Sequence, residues 1–176
     1  MNLIIIIALI IILIIVLSIV YITNYNNIQC YIIRINEAEN NIDSILRQRF
    51  DLLNKAVDVI KANINTDEEV LGTIVKLRSK KLSNFELDRK LYEAIKEFNS
   101  YKEKYPELKQ SEVFTHADVS INESEAEIIA FRKYYNDIIT DYNRLVKTFP
   151  SNIVALFCHF KEKPYFDENT TSKIKL

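Results

Sequence analysis

"INESEAEIIAFRKYYNDIITDYNRLVKTF", from Ile121 to Phe149, carries a heptad repeat of apolar residues. The rows of the repeat hold Ile121, Ile128, Tyr135, Tyr142 and Phe149, and, three positions on, Phe131, Ile138 and Leu145. Such spacing predicts a long helix whose seam packs on another helix. We expect the tyrosine rings to lie in this seam, with their hydroxyls bonded to a partner or to water. A ligand pocket lined by those hydroxyls is the alternative.

The composition favours helices in the rest of the chain as well. Among 176 residues there are one glycine and three prolines, and so few helix breakers argue for an all-α fold. This length is typical of one domain. The net charge of -1 gives no electrostatic reason to expect nucleic acid as a partner.

The first 23 positions carry no charged residue, and "LIIIIALIIILIIVLSIVYI" runs from Leu3 to Ile22. Twenty helical residues span about 30 Å, the thickness of a bilayer core. A secretory signal peptide is the alternative, but the leader before the run has no basic residue and Ser18 to Thr23 contains no small-x-small cleavage site. We therefore expect residues 1–24 to form an uncleaved, single-pass transmembrane anchor, with the lipid bilayer as a partner. The first basic residue after it, Arg34, favours a cytoplasmic soluble domain.

Helical spacing and capping signals divide the remainder into four helices. An apolar stripe that includes Ile28, Ile35 and Ile42 predicts a first helix that ends near Asn63. The capping box "TDEE" at 66–69 predicts a second helix over 67–81.

The last two helices have start signals of the same kind. The box "SNFE" at 83–86 opens a third helix that ends near Tyr105, the residue before Pro106. The fourth helix begins at Ser111 or at Ser120, since either serine could cap it.

A short apolar segment, "SNIVALFCHF" at 151–160, precedes a polar tail, and Ser151 could cap it. Two interpretations stand side by side for residues 151–176. The aromatic residues could form an interface with the membrane, or Ile153, Leu156 and Phe157 could plug the open end of a helical bundle. The interface residues in the first interpretation are Phe157, Phe160, Tyr165 and Phe166. The same geometry makes a bridge between Cys30 and Cys158 conceivable in an oxidising compartment.

Over residues 25–167 the chain resembles the LemA family of bacterial membrane-anchored helical proteins. The resemblance is strongest in "YNDIITDYNRLVKTFPSNIVALFCHFKEKPYFDE" at 135–168, and extends to "INEAENNID" at 35–43, "RFDLLNKAV" at 49–57 and "YPELK" at 105–109. It implies an antiparallel up-and-down four-helix bundle over residues 25–150, with long first and last helices, behind the N-terminal anchor. The motif residues that we single out are Arg49, Asp51, Glu125, Arg132, Tyr135, Asn136, Tyr142, Asn143, Phe149, Pro150, Ser151 and Asn152.

Arg49 falls on the same heptad row as Ile28, Ile35 and Ile42, and a cation in a seam requires a partner. If the first and last helices are antiparallel, counting residues along both from Ile28 and Phe149 brings Arg49 close to Glu125. We therefore predict an Arg49–Glu125 ion pair that fixes the helix register. The alternative is that the Arg49 side chain extends to water.

Neither His116 nor His159 belongs to a set of metal ligands, and we find no phosphate-binding loop or nucleophile elbow. We accordingly expect no catalytic residue, cofactor or metal. The sequence favours a non-enzymatic, membrane-anchored scaffold or interaction module, with protein partners or self-association, and the resemblance implies a family of poorly defined role. The alternatives are a membrane-anchored sensor that binds a small molecule or peptide in the bundle, and a membrane-remodelling protein.

Overall fold

The structure is a computed structural model that describes residues 2–63 and 83–166. Its helices are α1 (Asn2–Asn63), α2 (Asn84–Lys104), a 3₁₀ helix (Pro106–Gln110), α3 (Glu112–Lys147) and α4 (Ser151–Phe157). No strand occurs in these two described ranges. The predicted all-α fold with an N-terminal apolar helix is therefore confirmed. The helix predicted over 67–81 lies outside the described residues.

The chain divides into two compact units. The first unit comprises Met1–Glu37 and Tyr134–Tyr165, and the second comprises Ala38–Lys133 and Phe166–Leu176. Each unit has a core of its own. Ile28, Ile35, Tyr135, Ile139 and Tyr142 are buried in the first, and Leu46, Leu53, Phe98, Phe114 and Ile128 are buried in the second.

In the second unit, α2 and α3 run antiparallel. Asp88, near the start of α2, forms an ion pair with Arg132 of α3. Lys102, near the end of α2, pairs with Asp118, which precedes Arg132 on α3, with the Lys102 Nζ to Asp118 Oδ1 distance at 2.8 Å. The rings of Phe98 and Phe114 pack between them with centroids 5.0 Å apart. This is the direction that an up-and-down arrangement requires of the last two long helices.

The heptad seam of α3 is buried at four of its five predicted positions. Ile121, Ile128, Tyr135 and Tyr142 are at most 2% exposed. The assignment of Phe149 to the seam is wrong, because that side chain is 78% exposed. The reason is that α3 ends at Lys147, so Phe149 lies in the turn after the helix and no longer follows the helical spacing.

The start of α3 resolves the two alternatives in favour of the earlier serine. Helix α3 begins at Glu112, and the Ser111 hydroxyl accepts a hydrogen bond from the Phe114 amide at 3.4 Å. A start at Ser120 is wrong because the helix is continuous through that residue. Packing explains the longer helix, since Phe114 and Ala117 are both buried between the two serines.

Helix α2 begins with the capping box that its sequence predicts. The Ser83 hydroxyl accepts a hydrogen bond from the Glu86 amide at 3.4 Å, and the Ser83 amide donates to Glu86 Oε2 at 3.2 Å. The bond from the Ser83 amide, together with one from the Ser83 hydroxyl to the same Glu86 Oε2 at 3.0 Å, holds the pKa of the Glu86 carboxyl below its ordinary value. The carboxylate also lies at the positive end of the helix dipole.

Replacing Ser83 with alanine is expected to lower the free energy of unfolding by about 1 kcal/mol, because the Glu86 amide loses its acceptor. That loss corresponds to a Tm lower by about 2–4 °C in a chain of this size, measured by circular dichroism on the full-length protein. Ser120→Ala is the matched control, since Ser120 also stands three residues before a glutamate but lies inside α3. Equal shifts in both variants would contradict a capping role for Ser83.

Candidate functional site: a clamped C-terminal strap and a buried charge cluster

Helix α4 ends in a Schellman turn. The Phe160 amide donates to the Ala155 carbonyl at 2.9 Å, and the His159 amide donates to the Leu156 carbonyl at 3.3 Å. His159 has a φ of 58°, the left-handed conformation that this turn requires and that glycine adopts most readily. The turn reverses the chain so that the residues after it run back along α3.

Replacing His159 with glycine is expected to raise the free energy of unfolding by up to about 1 kcal/mol, because glycine has no Cβ to clash in the left-handed region. His159→Val should have the opposite effect, since a β-branched residue is an outlier there. Thermal melting of the two full-length variants checks both directions. A lower Tm for His159→Gly than for His159→Val would refute the explanation based on backbone conformation.

Residues 161–165, which we call the C-terminal strap, are held against α3 by Tyr142 and Asn143. The Tyr142 hydroxyl donates to the Lys161 carbonyl at 3.0 Å. The Asn143 side-chain amide donates to the Lys163 carbonyl at 2.9 Å and accepts from the Lys163 amide at 2.9 Å. Asn143 thus binds both backbone groups of one residue, as a neighbouring β-strand would.

Tyr135 makes a similar contact further along the strap. Two helical turns before Tyr142, the Tyr135 hydroxyl donates to the Pro164 carbonyl at 3.4 Å. Both tyrosines are at most 2% exposed, and burial raises the pKa of Tyr142, which keeps its hydroxyl protonated as a donor. The seven-residue spacing therefore aligns two buried tyrosines with carbonyls of the strap. The backbone of the strap therefore binds the two tyrosine hydroxyls that the alternative interpretation assigned to a ligand pocket.

Ser151 acts on α3 rather than as a cap of α4. Its hydroxyl donates to the Leu145 carbonyl at 2.6 Å and to the Thr148 carbonyl at 2.9 Å. The expected capping of the apolar segment by Ser151 is wrong, because Ser151 is the first residue of α4 and no side chain caps that helix. The Leu145 carbonyl is among the last of α3 and lacks a helical partner, so it accepts the hydroxyl proton, while Thr148 lies in the turn after the helix.

Helix α4 has one packed face and one outward face. Val154 and Ala155 are 3% and 2% exposed, whereas Ile153, Leu156 and Phe157 are 46%, 77% and 73% exposed. The proposed plug of Ile153, Leu156 and Phe157 is therefore wrong, since helical spacing turns these three away from the side that packs. Among the other residues of the expected interface, Phe160 is half-buried, Tyr165 is exposed and Phe166 is buried. Phe166 instead packs on Phe85 in the second unit, with ring centroids 4.5 Å apart.

The end of α4 contacts α1 at the end of the apolar run. The Cys158 Sγ lies 3.3 Å from the Tyr21 hydroxyl, and the Phe160 ring lies 6.0 Å from the Tyr25 ring, centroid to centroid. Both Cys30 and Cys158 are free thiols. Nine residues of helix, about 13 Å, separate Tyr21 from Cys30, which is why the conceivable bridge between the cysteines is not formed.

A cluster of four charged side chains lies in the second unit, on three helices. The Arg49 guanidinium donates to Glu125 Oε2 at 2.5 Å, and Arg49 is 4% exposed. The ion pair predicted from the helical register is thus present in the structure. Its glutamate end reaches water, since the Glu125 side chain is 48% exposed.

The second pair of this charge cluster joins Asp88 on α2 to Arg132 on α3. The Arg132 guanidinium donates to Asp88 Oδ1 and lies over the Phe166 ring, 5.9 Å from its centroid. Burial raises the pKa of Asp88, while the neighbouring Arg132 and Arg49 act to lower it. The Nε atoms of both arginines are buried without a hydrogen-bond partner among the described residues.

Asp88 is the member of the charge cluster that sequence reasoning missed. The sequence feature that could have predicted its burial is the position of Asp88 one turn before Leu91, on the face of α2 that buries Leu91 and Phe98. Of the other motif residues, Asp51 and Pro150 are exposed, and Asn136 and Asn152 are half-buried. Within residues 2–63 and 83–166, no group of three His, Cys, Asp or Glu side chains is placed to hold a metal ion.

Taken together, these features define an all-α protein with an N-terminal helix that is a candidate membrane anchor. In the part of the chain that the structure describes, α1 is long and apolar enough to cross a membrane, and none of its apolar window is buried.

The comparison with known proteins gives the family. The model of the LemA family matches residues 38–175, so the chain belongs to the LemA family. It is 31% identical over 144 residues to Protein LemA of Metamycoplasma hominis. The match covers 77% of this chain and 65% of that protein's length. Membership of this family supports the description of the chain as a LemA-like protein of poorly defined role.

Proposed function

We propose that this protein is a non-enzymatic, single-pass membrane-anchored scaffold that holds protein partners or further copies of itself. The observation that carries the proposal is the contrast along α1. Every described residue from Leu3 to Ile22 is exposed, whereas the same helix buries Ile28 and Ile35. Exposing such a run to water would be unfavourable by about 25 cal/mol for each Å² of apolar surface, so a bilayer is the environment that suits it.

The polar contacts support a structural role for the interior. Arg49 and Arg132 are engaged by carboxylates, and Tyr142 and Asn143 are engaged by the backbone of the strap. A catalytic group, by contrast, faces a cleft that admits substrate. Interior polar groups bonded in this way hold helices and strap in position, which is what a scaffold requires.

The surfaces offered to partners lie on the second unit. Tyr92 on α2 is 67% exposed, and Val119 and Ile129 on α3 are 48% and 46% exposed. Tyrosine is enriched at the energetic centres of protein interfaces. The net charge of -1 favours protein over nucleic acid as the partner.

Photo-crosslinking in the native membrane tests the scaffold. A photoreactive residue at Tyr92 or Ile129 of the full-length protein is expected to give a discrete adduct, identified by mass spectrometry as another protein or a second copy. The matched control places it at Leu91, which is 1% exposed. Absence of adducts at both exposed positions, with the protein correctly inserted, would reject the scaffold function.

We further propose that the soluble part lies in the cytoplasm, which the first basic residues after the anchor favour. Cys30 is exposed and free, and it follows the apolar run by eight residues, about 12 Å of helix. In a Cys158→Ser variant, an impermeant maleimide should label Cys30 only after the cells are permeabilised. Labelling of intact cells would place the domain outside.

A further inference from the structure

We propose that the outward face of α4, formed by Ile153, Leu156 and Phe157, lies in the boundary between lipid headgroups and acyl chains of the bilayer that α1 spans. The protein would then touch its membrane twice, once through a spanning helix and once through a short interfacial helix. The inference rests on the proposed membrane anchoring and adds to it a second lipid-binding surface.

The contacts between α4 and α1 fix the depth of this face. Tyr21 is the next-to-last residue of the apolar run, and its hydroxyl is 3.3 Å from Cys158 Sγ. Side chains on a helix point toward its N-terminus, so the Tyr21 hydroxyl lies level with residues inside the apolar run. Since Cys158 directly follows α4, the last turn of α4 lies at the edge of the apolar layer.

The aromatic residues around this point are those typical of a membrane interface. The Tyr21 and Tyr25 rings stack with centroids 6.3 Å apart, and the half-buried Phe160 packs on Tyr25. Tyrosine is enriched where the apolar core meets the headgroups, because its ring is apolar and its hydroxyl is polar. The next residue, Lys161, is exposed and can extend its amine toward water.

The amphipathic pattern of α4 matches a helix that lies in the interface plane. Leu156 and Phe157 are 77% and 73% exposed, while Val154 and Ala155 pack inward. Removing a leucine or phenylalanine side chain from water is favourable in proportion to the apolar area that is buried. A bilayer that surrounds Tyr21 already reaches this face, so lipid covers it without another protein.

Site-specific fluorescence on the full-length protein in phosphatidylcholine–phosphatidylglycerol vesicles tests the inference. In a Cys30→Ser, Cys158→Ser background, an environment-sensitive dye is attached at Leu156→Cys. We expect blue-shifted emission and strong quenching by lipids that carry a spin label just below the headgroup. Asp137→Cys is the matched control on α3, because Asp137 is exposed in the same unit and its dye should stay water-like and unquenched.

A dye at Leu13→Cys, in the middle of the apolar run, separates this inference from the anchoring on which it rests. Leu13→Cys is probed with lipids that carry the spin label near the end of the acyl chain, because the middle of the bilayer lies about 15 Å from the headgroups. Quenching at Leu13→Cys and Leu156→Cys, but not at Asp137→Cys, supports both. Quenching at Leu13→Cys alone overturns the interfacial helix and leaves the anchor in place. A blue-shifted but unquenched dye at Leu156→Cys also overturns it, because protein rather than lipid would then cover α4. An unquenched dye at Leu13→Cys rejects the anchor and the inference together.

Discussion

Replacing Arg132 with alanine is expected to lower the free energy of unfolding by about 3–5 kcal/mol, because the substitution leaves Asp88 without its ion-pair partner. Asp88 is 8% exposed, so water can replace the lost guanidinium only in part. In a chain of this size the loss corresponds to a Tm lower by roughly 6–20 °C. Thermal melting of the full-length variant at neutral pH measures it.

The same variant should change the pH dependence of stability. Burial raises the pKa of Asp88, and Arg132 opposes this rise. A carboxyl whose folded-state pKa is raised contributes stability below its unfolded-state pKa, and that contribution is lost as the pH rises through the folded-state pKa. Removing Arg132 raises the Asp88 pKa further. The deficit of Arg132→Ala should therefore be largest at neutral pH and become smaller as the pH falls toward the unfolded-state value of about 4.

Two further variants make the result interpretable. Arg144→Ala removes an arginine of α3 that, like Arg132, pairs with an aspartate. The Arg144 side chain is 69% exposed, so its removal should change the free energy of unfolding by at most about 1 kcal/mol. The double variant Asp88→Leu, Arg132→Leu should recover much of the loss, because it leaves no unpaired buried charge. A single variant as stable as Arg144→Ala at neutral pH would show that the charge cluster does not hold the helices.

The comparison of the two ion pairs shows what helical geometry can predict. Arg49 and Glu125 were matched by counting residues along two helices, because the rise per residue fixes axial distance once the helices are taken as antiparallel. The Asp88–Arg132 pair involves α2, whose lateral position follows from packing and not from the count. Only the apolar neighbours of Asp88 on its own helix marked it as buried.

The C-terminal part was harder to predict for a different reason. The heptad spacing correctly placed Tyr135 and Tyr142 in the core, yet their hydroxyls and Asn143 bind backbone groups of the strap. Every residue except proline presents the same backbone groups, so the strap sequence contains no sign of this contact. The assignment of Phe149 to the seam was wrong for a related reason. The helix ends two residues before Phe149, and the helical spacing does not continue into the turn that follows.

Replacing Asn143 with alanine is expected to release the C-terminal strap and to lower the free energy of unfolding by about 1–3 kcal/mol, because both Lys163 backbone groups lose their partner. Trypsin cleavage after the exposed Lys161 measures the release directly, since a protease requires a segment that can leave the surface. Tyr142→Phe, which removes a single bond to Lys161, should accelerate cleavage less.

Asn143→Asp distinguishes the clamp from simple packing. The aspartate keeps an acceptor for the Lys163 amide but sets a carboxylate oxygen against the Lys163 carbonyl, where Asn143 now donates at 2.9 Å. Its shape is almost unchanged, so cleavage as slow as in the unaltered protein would show that packing and the bond from the Lys163 amide hold the strap without the amide donor. Cleavage as fast as in Asn143→Ala would show that the amide donor is required. Asn122→Ala, at an exposed asparagine of α3 in the second unit, should leave the cleavage rate unchanged, because Asn122 bonds to Asp118 rather than to the strap.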